Sequence, residues 1–151
     1  MIHLEPVEGP EVPELLAFLE AADLTTAGLD APGARYWLHR DERGAVVGST
    51  GFELGASGTD ALIRSVAVAS GARQTGLGSE LARFALAGAA AARAQRAWLF
   101  SRRSGPFWQK LGFERSQTTS LATALASTSQ VALFTETGQI DREVAWSRPL
   151  P

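Results

Sequence analysis

A mixed α/β fold, one sheet with helices on both faces, is the class this sequence predicts, and two observations carry it. Residues 35–40 (RYWLHR), 45–54 (AVVGSTGFEL) and 61–68 (ALIRSVAV) are strand-like runs joined by the turn sequences DERG and GASGTD, which reads as a three-strand antiparallel meander. A helical pattern over 75–92 then links the third run to a further apolar run, RAWLF at 96–100. A strand–helix–strand connection of that kind places its two strands side by side and parallel, in a right-handed crossover.

The remaining elements follow in order. Residues 2–7 (IHLEPV) read as a short strand ending near Pro6. In GPEVPELLAFLEAADL, Val12, Leu15, Leu16 and Leu19 recur at helical spacing. TTAGLDAPG is turn-rich and predicts a loop. In the long helix Leu77, Leu81 and Phe84 form one stripe, and the alanine-rich second half suits close packing on a sheet. GPFWQKLGF predicts a short helix stopped at Gly112, a natural position for a left-handed helix end. The final third is less readable, with a last strand expected over 142–147 (REVAWS).

Bulk properties exclude several functions. A chain of 151 residues is expected to form one domain, with neither repeats nor a dividing linker. Net charge is -2, so nothing global favours nucleic acid or an anionic membrane. The chain contains no cysteine, which excludes disulfides, thiolate metal sites and a cysteine nucleophile. His3 and His39 are the only histidines, too few for a histidine-based metal cluster or triad. The start lacks a signal-peptide pattern and arginines break the longest apolar stretch, so a cytoplasmic location is expected.

The segment ARQTGLGSE, residues 72–80, raises a chemical question. Glycine inside a helix costs about 1 kcal/mol relative to alanine, yet Gly76 and Gly78 stand together at a helix start. Backbone N–H groups at such a start have no partner within the helix, and the helix dipole adds positive character. Without side chains to hold an anion away, the segment is a plausible pyrophosphate cradle. Equally, the glycines suit a tight turn and close helix–sheet packing. A P-loop is excluded because the segment holds no lysine. A dinucleotide fingerprint is disfavoured because the segment follows a meander.

Arg73-Gln74-Thr75-Gly76-Leu77-Gly78 resembles the Gln/Arg-x-x-Gly-x-Gly/Ala signature of the GNAT family of N-acetyltransferases. It stands after an apolar strand and opens a central helix, as in that family. PFWQKLGF resembles the family's aromatic–aromatic-x-x-x-Gly-Phe segment, and the agreement runs to about Glu114. DLTTAGL, FELGASGTDALIRSVAV and residues 128–130 are similar to small acetyltransferases found with arsenic-resistance genes. SRRSGPFWQKLGF also resembles the acetyltransferase domain of glutamate N-acetyltransferases.

The resemblance implies a GNAT-type sheet, mostly antiparallel, with a splayed parallel strand pair that admits acetyl-CoA as co-substrate. Backbone groups of Gln74, Thr75, Gly76, Leu77, Gly78 and Ser79 would hold the pyrophosphate, with Arg73 beside a phosphate. Val66, Ala67 and Val68 would meet the pantetheine arm as an added strand. The N–H near Val66 would polarise the thioester carbonyl. Ser104, Phe107 and Trp108 are further cofactor-side candidates.

Acyl transfer from sulfur to nitrogen requires a deprotonated amine. Glu53 is the first candidate base, acting through water; a sheet-surface glutamate is the bland alternative. Trp108 occupies the place where many relatives carry a tyrosine acid, leaving Ser101, Ser104, water or no acid for the thiolate. Tyr36 is a remote alternative, better suited to packing. Arg64 interrupts an apolar strand and either faces the cleft to hold an acceptor carboxylate or pairs with Glu53. Ser65 and Arg103 join it as acceptor-binding candidates. The implied acceptor is a small amino acid-like amine, with a homodimer as a further expectation. Competing readings are a protein or peptide N-acetyltransferase and a coenzyme A-binding regulatory module without catalysis.

Overall fold

The computed structural model describes residues 2–72 and 76–151. Seven strands form one sheet in the order β1-β2-β3-β4-β5-β7-β6. They are β1 (Leu4–Pro6), β2 (Ala34–Arg40), β3 (Val46–Leu54), β4 (Asp60–Val68), β5 (Arg96–Phe100), β6 (Glu114–Ser116) and β7 (Ala145–Pro149). Every neighbouring pair is antiparallel except β4 and β5, which are parallel, as expected of strands joined through a helix.

Alternation along the strands divides the core between two faces. Phe52, Ile63, Leu99 and Trp146 bury against α2 (Leu77–Ala91) and α3 (Gly105–Lys110). On the other face Leu62, Trp98 and Ala145 pack with Leu121 of α4 (Thr118–Ala124) and Val131 of α5 (Ser129–Thr137). Tyr36 and Leu38 pack with Leu15 and Leu19 of α1 (Val12–Ala21). Leu16 and Phe84, assigned to buried stripes from spacing, are instead 38% and 37% exposed. The buried side of α2 is narrower and smaller than the leucine spacing implied: Ala82, Ala85 and Ala89 lie on it with Leu77, Leu81 and Leu86. A Cβ on Gly88 would stand 3.0 Å from Phe52 Cε2, so α2 lies almost on the sheet there.

The last third holds two helices that periodicity did not resolve, followed by the expected last strand. Gly138, at φ +78°, ends α5, and a 3-10 turn over Gln139–Arg142 follows. That turn takes up Arg142, so the last strand begins at Ala145, three residues later than expected.

One departure from regular pairing matters for function. β4 pairs with β5 only through Asp60↔Arg96, Ala61↔Ala97 and Leu62↔Trp98. Beyond Leu62 the two strands have no ladder. On its other side β4 carries a register shift against β3, between Ser49 and Gly51. Ser65 sits in that irregularity with φ +61°, a left-handed conformation rare for a non-glycine residue. The bulge bends β4 away from β5 and opens the sheet.

Candidate functional site

A cleft of about 600 Å³ occupies the opening. Residues 63–68 of β4 form one wall, and Leu99, Phe100 and residues 101–104 after β5 form the other. Gly78, Phe107 and Trp108 border one end. Residues 22–25, Gln130, Phe134, Gln139 and Glu143 border the opposite end. Val66, Ala67, Val68, Ser101, Arg103, Ser104, Phe107 and Trp108, expected at a site from the sequence, all line this one cleft.

At the first end, α2 starts at Gly76 in the left-handed conformation (φ +79°), with no side-chain cap among the described residues. A Cβ on Gly76 would meet nothing within 4 Å, and one on Gly78 would stand 3.6 Å from Phe107 and 3.7 Å from Val68. Neither glycine is demanded by close packing, but Gly76 meets the turn's need for a left-handed residue while both leave space at the helix start. Leu77 turns its side chain into the core, 7% exposed, so only its backbone is available there, while Ser79 is half-buried. Arg73, Gln74 and Thr75 lie outside the described residues.

Trp108 is 8% exposed, edge-on to both Phe107 and Phe113, so it packs the floor between α3 and the sheet. Ser101 Oγ accepts a hydrogen bond from the Ser104 N–H at 3.1 Å, which shapes the turn after β5. Its own hydroxyl proton remains available to the cleft. Ser65 also lines the cleft, its Oγ buried and without a hydrogen-bond partner among the described residues.

The structure corrects the reading of Glu53. This residue is 3% exposed and absent from the cleft lining. Its Oε2 accepts the Ser129 N–H at 2.9 Å and the Ser129 hydroxyl at 3.3 Å, which places a carboxylate on the open start of α5. Its Oε1 lies 3.6 Å from Arg64 Nη1. A carboxylate sealed between a helix start and a guanidinium has no route to a substrate amine. The expectation of a water-coupled base at Glu53 fails on burial and direction.

Arg64 is likewise committed. Nη1 donates to the Ala27 carbonyl at 2.6 Å and Nη2 to the Thr25 carbonyl at 3.0 Å. Both fork ends hold the loop after α1, while Nε is buried with no hydrogen-bond partner among the described residues. The pairing alternative for Arg64 is the one the geometry favours. Its guanidinium also lies 5.7 Å from the ring centroid of Tyr36. Tyr36 is buried beneath α1, and its hydroxyl donates to the Gly28 carbonyl at 3.4 Å, away from the cleft. Burial pushes its pKa up to about 12, with Glu53 and Asp30 adding to the rise and Arg64 opposing it.

Glu143, Gln139, Gln130 and Phe134 escaped the sequence reading. Glu143 had been absorbed into an expected strand. The helix that carries Gln130 and Phe134 was signalled by TSQVALFTETG, in which Thr128 precedes the helix and Gly138 stops it.

A sheet opened between a parallel pair, beside an uncapped helix start, is the architecture of acyl-CoA N-acyltransferases. Residues 4–113 match the model of the acetyltransferase (GNAT) family, and the chain belongs to that family. Among solved structures, N-acetylglutamate synthase from Neisseria gonorrhoeae, complexed with coenzyme A and N-acetyl-glutamate, aligns with TM-score 0.77 at 15% identity. The alignment covers 100% of this chain and 35% of that one, so the chain spans about a third of the synthase. An acetyltransferase of the GNAT family from Staphylococcus aureus aligns over 100% of both chains with TM-score 0.76 and 14% identity. Nourseothricin acetyltransferase aligns over 99% of both with TM-score 0.67 and 18% identity. No curated protein shows significant sequence similarity to the chain. The protein is thus an acyltransferase for which acetyl-CoA fits as co-substrate. Among the described residues no helix is long and apolar enough to cross a membrane.

Proposed function

We propose that the protein transfers the acetyl group of acetyl-CoA directly to the amine of a small amino acid-like acceptor. The observation that supports this most is the continuity of the cleft. It runs from the uncapped start of α2 to a half-buried polar end formed by the loop after α1 and the segment from α5 to β7. The two ends suit a nucleotide thioester and an acceptor respectively.

The residues fit the co-substrate. Open backbone at Gly76 and Gly78, with Ser79 and the neighbouring Arg73, Gln74 and Thr75, would hold the diphosphate. The β4 edge from Val66 to Val68 would take the pantetheine arm alongside it, in the place of a neighbouring strand. Bound there, acetyl-CoA supplies an activated acyl carbon. The left-handed turn at Ser65 precedes Val66, which lines the cleft, and the Val66 amide would stabilise charge on the acyl oxygen. Phe107 and Trp108 exclude water on one side. Ser101 and Ser104, which line the cleft after β5, would serve the leaving sulfur, and exposed Arg103 would meet an acceptor carboxylate. With no cysteine in the chain, transfer proceeds by direct attack of the amine. The arsenic-associated resemblance adds a toxic-amine setting to the same reaction.

Calorimetry with acetyl-CoA, followed by free-thiol release across a panel of amino acids, tests the proposal. Binding with amine-dependent thiol release is expected. Binding without release for any amine would turn the assignment toward a coenzyme A-binding regulatory module, and absence of binding would remove it altogether.

A further inference from the structure

The acceptor end of the cleft contains a carboxylate whose only charge partner among the described residues is a solvated arginine. Glu143 lies between the 3-10 turn and β7, borders the cleft, and keeps its side chain 6% exposed. Its Oε2 accepts the Gln139 amide N–H at 2.9 Å and lies 3.5 Å from Arg102 Nε. No hydrogen bond to Oε1 exists among the described residues. Arg102 is 48% exposed, and a pair with so solvated a cation contributes little. A carboxylate that borders the cleft with one oxygen unpaired and little exposed surface favours a closely held cation. Arg64 is turned to the carbonyls of Thr25 and Ala27 and to Glu53, and no contact joins it to Glu143 among the described residues. Within this polar end Phe100 and Phe134 add an aromatic patch to the cleft lining, their ring centroids 5.1 Å apart.

We infer that Glu143 receives the acceptor's ammonium group, and that the acceptor is an amino acid whose side chain is apolar and rests against Phe100 and Phe134. This inference builds on the acetyl-transfer reading of the same cleft. An acidic side chain would bring a second negative charge toward Glu143, with Asp23 at the same end adding a third. An apolar one buries its carbon against two aromatic faces. Arg102 is then a placeholder that an ammonium displaces, and exposed Arg103 remains for the α-carboxylate.

The test is calorimetric and needs no turnover. L-Phenylalanine, 3-phenylpropanoate and L-glutamate are titrated in turn into the protein saturated with coenzyme A. L-Phenylalanine is expected to bind most tightly. Loss of the ammonium in 3-phenylpropanoate and the Glu143→Gln substitution should each weaken binding by about tenfold or more, the range of one charge-assisted hydrogen bond. Coenzyme A affinity should stay within about twofold in the variant, which also certifies its fold. Arg102→Ala, leaving Glu143 in place, should bind L-phenylalanine at least as tightly as the parent. Equal affinity in Glu143→Gln, tighter binding of L-glutamate or 3-phenylpropanoate, or no binding of L-phenylalanine to the coenzyme A complex overturns the inference. Failure of coenzyme A itself to bind would instead overturn the acetyl-transfer reading beneath it.

Discussion

Glu53 shows how a residue type can be read correctly and its job wrongly. A lone carboxylate on a strand beside a cleft is a reasonable base in one dimension. In three dimensions it faces the other way, holding Ser129 with one oxygen and facing Arg64 with the other. Removing one member of a buried ion pair leaves the other unpaired, at a cost of roughly 3–5 kcal/mol. Glu53→Ala should therefore lower unfolding free energy by about 3 kcal/mol in a denaturant titration, and Glu53→Gln by less, because the amide oxygen can still accept from Ser129. A catalytic base would behave in the reverse manner, losing activity with little loss of stability.

Tyr36 offers a second test at this scale, because it is the only tyrosine and its phenolate absorption reports one site. Its folded pKa, raised by burial to about 12, exceeds the unfolded value of about 10. The folded state then holds its proton while the unfolded state releases it. The stability Tyr36 contributes is fully present below pH 10 and is lost as pH rises toward 12. Spectrophotometric titration should place the phenolate transition near 12 in the native protein and near 10 in denaturant.

At the scale of elements, the walls of the acceptor end are fastened by one buried cluster. Arg64 on β4 holds the loop after α1, Glu53 on β3 holds the start of α5, and the two meet within 3.6 Å. Gly28 in that loop has φ +73°, and a Cβ there would collide with the Ser129 side chain. Gly28→Ala combines backbone strain with that clash. It should lower stability by about 2 kcal/mol and speed hydrogen exchange at the start of α5.

The same elements mark the limit of what sequence can reveal. Alternation and turn chemistry exposed the meander and its parallel neighbour, because each strand there has a buried face and a short connection. The α2 start was legible through its two glycines. The C-terminal third was not: α4 is seven residues long and α5 nine, too short for periodicity to stand above composition. Arg64 and Glu53 stood out as candidates, but the carbonyls and the helix start that engage them lie 37 or more positions away along the chain and carry no mark in the sequence. Glu143 was hidden for another reason. A carboxylate at the entry of a strand looks like any solvated glutamate until the cleft beside it is seen.

For the whole molecule, ligand binding and folding are linked. A ligand that binds only the native state stabilises it by RT ln(1 + [L]/Kd), about 2.7 kcal/mol at a hundredfold excess over Kd. Coenzyme A should therefore raise the thermal midpoint in proportion to the logarithm of its concentration. Gly78→Trp, which places bulk against Phe107 and Val68 at the open helix start, should abolish most of that rise while leaving the unliganded midpoint nearly unchanged.

The short β4–β5 ladder has a consequence beyond catalysis. Three residue pairs join these strands, and past them the middle of the sheet presents two frayed margins of the kind proteins ordinarily keep at the periphery or under cover. A guest running alongside β4 shields that seam; without one it can recruit any extended polypeptide nearby. Self-association should thus be greatest in preparations stripped of nucleotide and should recede as coenzyme A is restored. In such a fold the small molecule completes the surface as well as serving the chemistry.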